Sequence, residues 1–132
     1  MVLSLSASER SRVRGLRKTT CGQEVLLQLP RAGPLLEGDI LAGEMPSFQV
    51  LVRAAFEDLL EISSESTKEL TTAAYHIGNR HVELEVHTQK LYLLNDPVLA
   101  EMLESRDLAI SPVRKPFFPE MGAYLPVHNH KH

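Results

Sequence analysis

The chain has 132 residues, which is enough for one modest domain or two small ones. Its content of 43% hydrophobic and 23% charged residues is ordinary for a folded protein and excludes collagen-like and disordered classes. The formal net charge of -3 argues against a dedicated nucleic-acid-binding protein. No apolar run approaches the roughly 18 to 20 residues of a membrane helix, and the opening MVLSLSASER lacks the features of a signal peptide. We therefore expect a cytoplasmic protein with neither nucleic acid nor membrane as a partner.

The first half of the sequence has the pattern of short strands separated by turns. Val13 and Leu16 precede a turn signal at residues 19–22, and the apolar segment 24–29 follows and is closed by Pro30. This pattern predicts a hairpin. Further Gly and Pro turns separate more short apolar segments, which favours a small sandwich or barrel. We expect a β-rich N-terminal domain over residues 1–65.

A helix is predicted to begin after Ser66. Ser66 and Glu69 have the spacing of a capping box, and Gly78 or Asn79 is a suitable C-terminal stop. The helix then has about three turns and ends just before His81. Its apolar residues at helical spacing are Leu70, Ala73, Ala74 and Ile77.

The remaining elements complete a recognisable order. Residues 82–87 alternate between apolar and polar, which predicts a half-buried strand whose Glu83, Glu85 and His87 face water. A second strand covers 91–94, Asp96 and Pro97 begin another helix, and 108–113 is extended. With a strand near residue 54, the order is βαββαβ, typical of the ferredoxin-like arrangement. The fold class is therefore α+β, with a ferredoxin-like domain over 66–115, its first strand beginning as early as 54, and a flexible tail over 116–132.

All six histidines lie in the second half of the chain. His128, His130 and His132 alternate in the tail, where they could chelate one ion, because neutral imidazole binds nickel, zinc and copper. A solvated tail or an artificial remnant explains the same pattern. His76 and His81 differ by about 140° around a helix and would not share one ion within a single chain. A two-fold axis could instead bring together two copies of His81.

Other polar groups have weaker patterns. Arg10, Arg12 and Arg14 alternate and indicate either one solvent face or a docking patch for an acidic partner. Cys21 is the single cysteine, so it cannot form an intramolecular disulfide, and nothing near it in sequence would lower its pKa. No catalytic triad, paired carboxylates or phosphate-binding loop can be argued, so we do not expect an enzyme.

Residues 74–82, AYHIGNRHV, resemble the signature of the urease accessory protein UreE family of nickel metallochaperones. The similarity extends to residues 27–31 and 36–40 in the β-rich half. It also covers residues 94–103, and the segment 116–124 with the terminal histidines resembles the tail of the family. The resemblance therefore covers most of the chain.

The resemblance implies a β-rich partner-binding domain and a ferredoxin-like domain that forms a homodimer. It implies that His81 binds Ni(II) from both subunits, that His128, His130 and His132 supply further ligands as a group, and that His76 is a weaker candidate. Zn(II) or Cu(II) could occupy the same ligands. The implied function is delivery of nickel to the urease accessory GTPase and the apo-urease assembly complex.

One departure from the family concerns the start of the second helix, where some members carry histidines on both sides of an Asp. This chain has Asn95, Asp96 and Pro97 there, which argues against an auxiliary metal site. The short tail argues against metal storage. A nickel or zinc buffer or sensor without a dedicated handover is the alternative function. A metal-dependent hydrolase would need a carboxylate base beside the metal, and the sequence places none.

Overall fold

The computed structural model of the chain describes residues 1–30, 33–44, 48–104 and 106–121. They combine strands with a few helices, so the fold class is α+β. The contacts divide them into two units, Met1–Ala55 and Phe56–Met121. The sequence predicts a second domain from residue 66 whose first strand begins as early as 54, and the strand that begins at Phe56 belongs to the second unit, because it pairs only with strands that follow it in the chain.

The first unit contains two small sheets. Its elements are β1 (Val2–Leu5), α1 (Ala7–Arg10), β2 (Arg14–Lys18), β3 (Glu24–Gln28), β4 (Ile40–Ala42) and β5 (Gln49–Ala54). One sheet has β1 parallel to β5 and β4 antiparallel to β5, and the other is the antiparallel pair β2 and β3. The pairing of Arg14 with Gln28 and of Lys18 with Glu24 confirms the predicted hairpin.

The core of the first unit is aliphatic. Leu3 and Val52 are fully buried, and both belong to the parallel pair β1 and β5. The short α1 follows β1 directly and has a complete capping box between Ser6 and Glu9. The buried residues of this core are Leu3, Leu5, Val13, Val25, Leu27, Leu35, Val50 and Val52.

The second unit has an antiparallel four-stranded sheet and two helices. Its elements are β6 (Phe56–Ser63), α2 (Thr67–Asn79), β7 (Glu85–Val86), β8 (Lys90–Leu94), α3 (Pro97–Glu104) and β9 (Ala109–Pro116). The strand order is β7-β8-β6-β9. Helices α2 and α3 pack on one face of this sheet, because their buried residues share one core with Leu60, Ile62, Leu91 and Leu93.

Both helices of the second unit begin where the sequence predicts. The hydroxyl of Ser66 accepts a hydrogen bond of 3.2 Å from the N–H of Glu69, and the carboxylate of Asp96 accepts one of 2.9 Å from the N–H of Val98. The predicted end of the first of these helices just before His81 is confirmed, because α2 ends at Asn79 and Arg80 is its C-cap. The left-handed residue that follows the helix is His81, with φ of 60°, and neither Gly78 nor Asn79.

The predicted strand over 82–87 is mostly wrong. Only Glu85 and Val86 are strand, and their exposure is the reverse of the expectation, since Glu85 is 5% exposed and Val86 is 47% exposed. Glu85 is buried because the chain that follows β9 donates a backbone hydrogen bond to its carboxylate. The polar residue Glu85 is therefore buried in this short edge strand, whereas the alternating pattern predicts that Val86 is buried.

The end of the described chain is more ordered than predicted. Pro116 is the last residue of β9 and does not break it, and Phe117 is fully buried. A proline is tolerated there because β9 is an edge strand. Across the four described stretches, every helix is too short or too polar to cross a lipid bilayer.

Candidate metal centre

His81 lies directly after the C-terminal cap of α2 and its side chain is exposed. Its N–H donates a hydrogen bond of 2.9 Å to the carbonyl of Gly78, which satisfies one of the last carbonyls of the helix. Glycine is the usual residue in this left-handed position, since other L-residues lose about 1 to 2 kcal/mol there. A histidine in this position makes His81 a candidate functional residue.

His76 lies in the last turn of α2 and is half-buried. Its ring makes an edge-to-face contact with Tyr75, with centroids 5.3 Å apart. His76 therefore belongs to the helix, whereas His81 lies beyond its end. Within the part of the chain that the structure describes, no three His, Cys, Asp or Glu side chains are arranged to hold a metal ion.

The tail histidines His128, His130 and His132 lie outside the described residues. Their role as ligands therefore stays a prediction. Near the end of α2, the described residues offer the exposed imidazole of His81 and the half-buried imidazole of His76, and imidazole nitrogen is a ligand that nickel accepts.

A polar cluster that the sequence did not predict lies on the face of the second unit's sheet opposite the helices. The Glu85 carboxylate contacts Nε2 of His87 at 2.5 Å and accepts the N–H of Phe118 at 2.8 Å. The ring of Tyr92 makes an edge-to-face contact with His87, with centroids 5.5 Å apart. His87 is exposed as expected, but the expectation that Glu85 faces water is wrong.

Tyr92 joins this cluster to the neighbouring strands. Its hydroxyl donates to Glu61 at 2.9 Å, and Nζ of Lys115 lies 4.0 Å from the centre of its ring. Burial, followed by the hydrogen bond and the negative charge of Glu61 and then the charge of Glu85, raises the pKa of Tyr92. These side chains contact one another across β6, β7, β8 and β9, so their role is structural.

The arginines of the first unit do not form one exposed row. Arg10 is 5% exposed, and its Nη1 donates to the carbonyl of Leu5 at 2.9 Å, whereas Arg12 and Arg14 are exposed. The idea of a single face through all three is therefore wrong. Strand alternation fails here because Arg10 is the last residue of the helix α1.

Cys21 is exposed, as its turn position suggests. Its Sγ lies 3.2 Å from the hydroxyl of Thr19. This hydrogen bond, followed by the backbone N–H of Gln23, lowers the pKa of the Cys21 thiol. The expectation that nothing depresses this pKa is wrong, because the turn brings a side chain two positions away onto the sulfur.

Comparison with known proteins identifies the family. A profile of the UreE urease accessory protein C-terminal domain matches residues 57–132. Urease accessory protein UreE of Parasynechococcus marenigrum (strain WH8102) is 54% identical over 132 residues, covering 100% of this chain and 86% of the relative. The protein of the same name from Synechococcus sp. (strain WH7805) is 52% identical over 92% of this chain and 70% of the relative. A third, from Synechococcus sp. (strain CC9311), is 48% identical over 98% of this chain and 83% of the relative.

These matches agree with the resemblance carried by residues 74–82. The profile covers more than half of the chain, and the relatives extend the similarity through the β-rich first unit. The family is one of accessory proteins to urease, so the chain has a role in urease maturation. The chain therefore belongs to the urease accessory protein UreE family.

Proposed function

We propose that the chain is a metallochaperone that binds Ni(II) and delivers it to the urease assembly complex. The observation that carries this proposal is the exposed His81, held in a left-handed conformation at the end of α2, in a chain of the UreE family. Glycine or asparagine would end this helix with less strain. An accessible imidazole at this position suits an ion that must be collected and then released.

The second unit supports a homodimer. Its element order, βαββαβ, is that of the ferredoxin-like arrangement. Tyr75 on α2 is 67% exposed and Val98 on α3 is 70% exposed, and large exposed apolar groups are common at protein interfaces. In a symmetric dimer that placed the end of α2 on the two-fold axis, each subunit would supply one His81 to the same ion.

The tail would complete the coordination. His128, His130 and His132 would supply further neutral nitrogen ligands, with His76 as a weaker candidate. A site built from few neutral ligands, some on a terminal segment, exchanges its ion more readily than a closed structural site. Zn(II) and Cu(II) have the same ligand preferences, so we expect nickel loading to depend on metal availability.

The recipient would be the urease accessory GTPase together with the apo-urease complex, in the cytoplasm. The β-rich first unit would supply a partner-binding surface, in which the exposed Arg12 and Arg14 favour an acidic partner. A nickel or zinc buffer or sensor is the alternative, because it would use the same ligands without a handover. The rate of nickel-63 transfer from the loaded chain to the purified GTPase distinguishes a metallochaperone from a buffer. A buffer would transfer the ion to the GTPase no faster than to a chelator.

Nickel titration by calorimetry, with the oligomeric mass measured alongside, tests the proposal. The unsubstituted chain, His81→Ala and a His128→Ala/His130→Ala/His132→Ala variant are compared. Glu83→Ala is the matched control, because it removes an exposed side chain two positions after His81 that lies outside the proposed ligand set.

We expect one ion per dimer in the unsubstituted chain and in the control. We expect no ion with His81→Ala, and binding about tenfold weaker without the tail histidines, the effect of losing about 1.4 kcal/mol. Nickel binding that survives both sets of substitutions would contradict the shared site.

A further inference from the structure

The chain crosses the sheet of the second unit after β9 ends. β9 lies at one edge of the sheet and β7 at the other. Two residues after Pro116, the N–H of Phe118 donates to Oε1 of Glu85 in β7, and the N–H of Glu120 then donates to the carbonyl of Leu84, also at 2.8 Å. Residues 117–120, which we call the strap, therefore bridge the two edges.

The strap covers the face that the helices leave open. Tyr92 lies between Leu91 and Leu93, which face the helices, so its side chain and those of its cross-strand partners Glu61 and Glu85 are on the other face. Lys115 lies over the ring of Tyr92 on that face. Tyr92 on this face is 6% exposed, and Phe117 in the strap is 0% exposed.

Glu85 is the buried anchor of the strap. Its carboxylate is held between the imidazole of His87 and the N–H of Phe118, one oxygen for each. A carboxylate in this setting makes a charge-assisted hydrogen bond, which is stronger than a bond between neutral groups. Loss of the acceptor would leave the Phe118 N–H without this bond and weaken the attachment of the strap to β7.

The strap brings Glu120 beside Leu84, which is close to His81 in the chain. Leu84 follows His81 by three residues, so the Cα atoms of these two residues are at most about 11 Å apart. The eight residues from Glu120 to His128 span at most about 26 to 29 Å when the chain is fully extended. We propose that Glu85 is a positioning residue, which anchors the strap so that the tail histidines begin their path beside His81. This inference rests on the proposed function, because it concerns the ligands of the same ion.

The first test is a double-mutant comparison of nickel affinity in the full chain. Glu85→Ala is measured with the native tail and in the His128→Ala/His130→Ala/His132→Ala background, and Glu85→Gln and the exposed Glu83→Ala are the conservative variant and the matched control. We expect Glu85→Ala to weaken binding about three- to tenfold with the native tail, because the effective concentration of the tail ligands falls. We expect no change in the background without tail histidines, and less than about a twofold change for both comparison variants.

An equal loss in both backgrounds would show that Glu85 acts only on stability, and no loss with the native tail would also overturn the inference. If the tail substitutions themselves leave nickel affinity unchanged, the tail supplies no ligands and the inference fails, while the His81 site stands. If the unsubstituted chain binds no nickel, the proposed function fails.

A second measurement follows the strap without any metal. A nitroxide is attached to Val127→Cys in a Cys21→Ser chain, and its broadening of the backbone amide signals of residues 81–87 is measured by NMR. We expect these signals to broaden in this chain, and we expect several-fold weaker broadening when the same chain also carries Glu85→Ala. Equal broadening in both would overturn the anchoring role whatever the metal result.

Should Glu85→Ala fail to fold, Phe118→Pro removes the donor N–H and leaves the contact between Glu85 and His87 in place. It is expected to reduce the broadening in the same way. Unchanged broadening in Phe118→Pro would overturn the inference.

Discussion

The hydroxyl of Tyr92 donates a hydrogen bond of 2.9 Å to the carboxylate of Glu61, its direct cross-strand partner between β6 and β8. Tyr92 is buried, and burial together with this bond raises its pKa above the ordinary value of 10.0. The folded chain therefore keeps the proton at a pH where the unfolded chain loses it. This contribution to stability is complete below the unfolded pKa and is lost as the pH rises through the folded pKa.

We expect the free energy of unfolding to fall between about pH 8 and about pH 11, and to fall less steeply in Tyr92→Phe, which has no phenolic proton to lose. Urea unfolding at the two pH values measures the difference. Tyr75→Phe is the control, because Tyr75 is 67% exposed. An equal pH dependence in Tyr92→Phe and in the unsubstituted chain would contradict this assignment.

Glu37 stabilises the first unit through two hydrogen bonds. Its carboxylate accepts the N–H of Ala54 at 2.6 Å and Nη1 of Arg53 at 2.8 Å, and the bond from Ala54 is the larger cause of a lowered pKa. A lowered pKa gives stability that is present above the unfolded value of 4.5 and is lost as the pH falls through the folded pKa.

We therefore expect Glu37→Gln to lower the melting temperature at neutral pH, and the difference from the unsubstituted chain to narrow near pH 3. Thermal unfolding by circular dichroism at the two pH values measures it. Glu24→Gln, at an exposed strand position, serves as the control and should show little change. A melting difference that is as large in acid as at neutral pH would refute the role of the charge.

Phe117 and Phe118 provide a direct test of the ordered strap. Phe117 is fully buried and Phe118 is 45% exposed. Truncation of a buried phenylalanine costs about 3 to 5 kcal/mol, because the transfer free energy is lost and a cavity remains. We expect Phe117→Ala to fall in this range and Phe118→Ala to cost clearly less, since its N–H is retained. Urea unfolding measures both, and equal small losses would mean that the strap is not packed in solution.

The elements that the sequence predicts well are those whose cause is local. Ser66 and Asp96 begin their helices through bonds to residues two or three positions away, and the hairpin of β2 and β3 joins neighbours in the chain. The pairing of β1 with β5 depends on residues that are far apart in sequence, and no short pattern encodes it.

The same distinction applies to the candidate site. The helix that ends before His81 follows from local spacing, and so does the exposure of the residue beyond it. The burial of Glu85 does not, because it depends on Phe118, 33 residues later in the chain. Phe117 is fully buried although Pro116, Pro119 and Gly122 give this segment the composition of a loop. The bonds that hold the segment join Phe118 and Glu120 to Glu85 and Leu84, which are far away in the sequence.

His81 has a strained backbone conformation and an imidazole that we propose binds nickel, and substitutions can separate the effects of these two features. Its backbone has φ of 60°, a conformation that costs L-residues with a Cβ about 1 to 2 kcal/mol and costs glycine little. We expect His81→Gly and His81→Ala both to lose nickel binding, because both lack the imidazole. We also expect the apo form of His81→Gly to be more stable than that of His81→Ala by about 1 kcal/mol, because only glycine relieves the strain.

Urea unfolding without metal and nickel calorimetry of the same preparations measure both quantities. Two variants of equal stability would mean that the chain relaxes out of the left-handed conformation when the side chain is shortened. Nickel binding that is retained by His81→Gly would show that the imidazole of His81 is not a required ligand. The expected result, a more stable chain that carries no nickel, would show that the strained histidine is retained for its ligand nitrogen at the expense of stability.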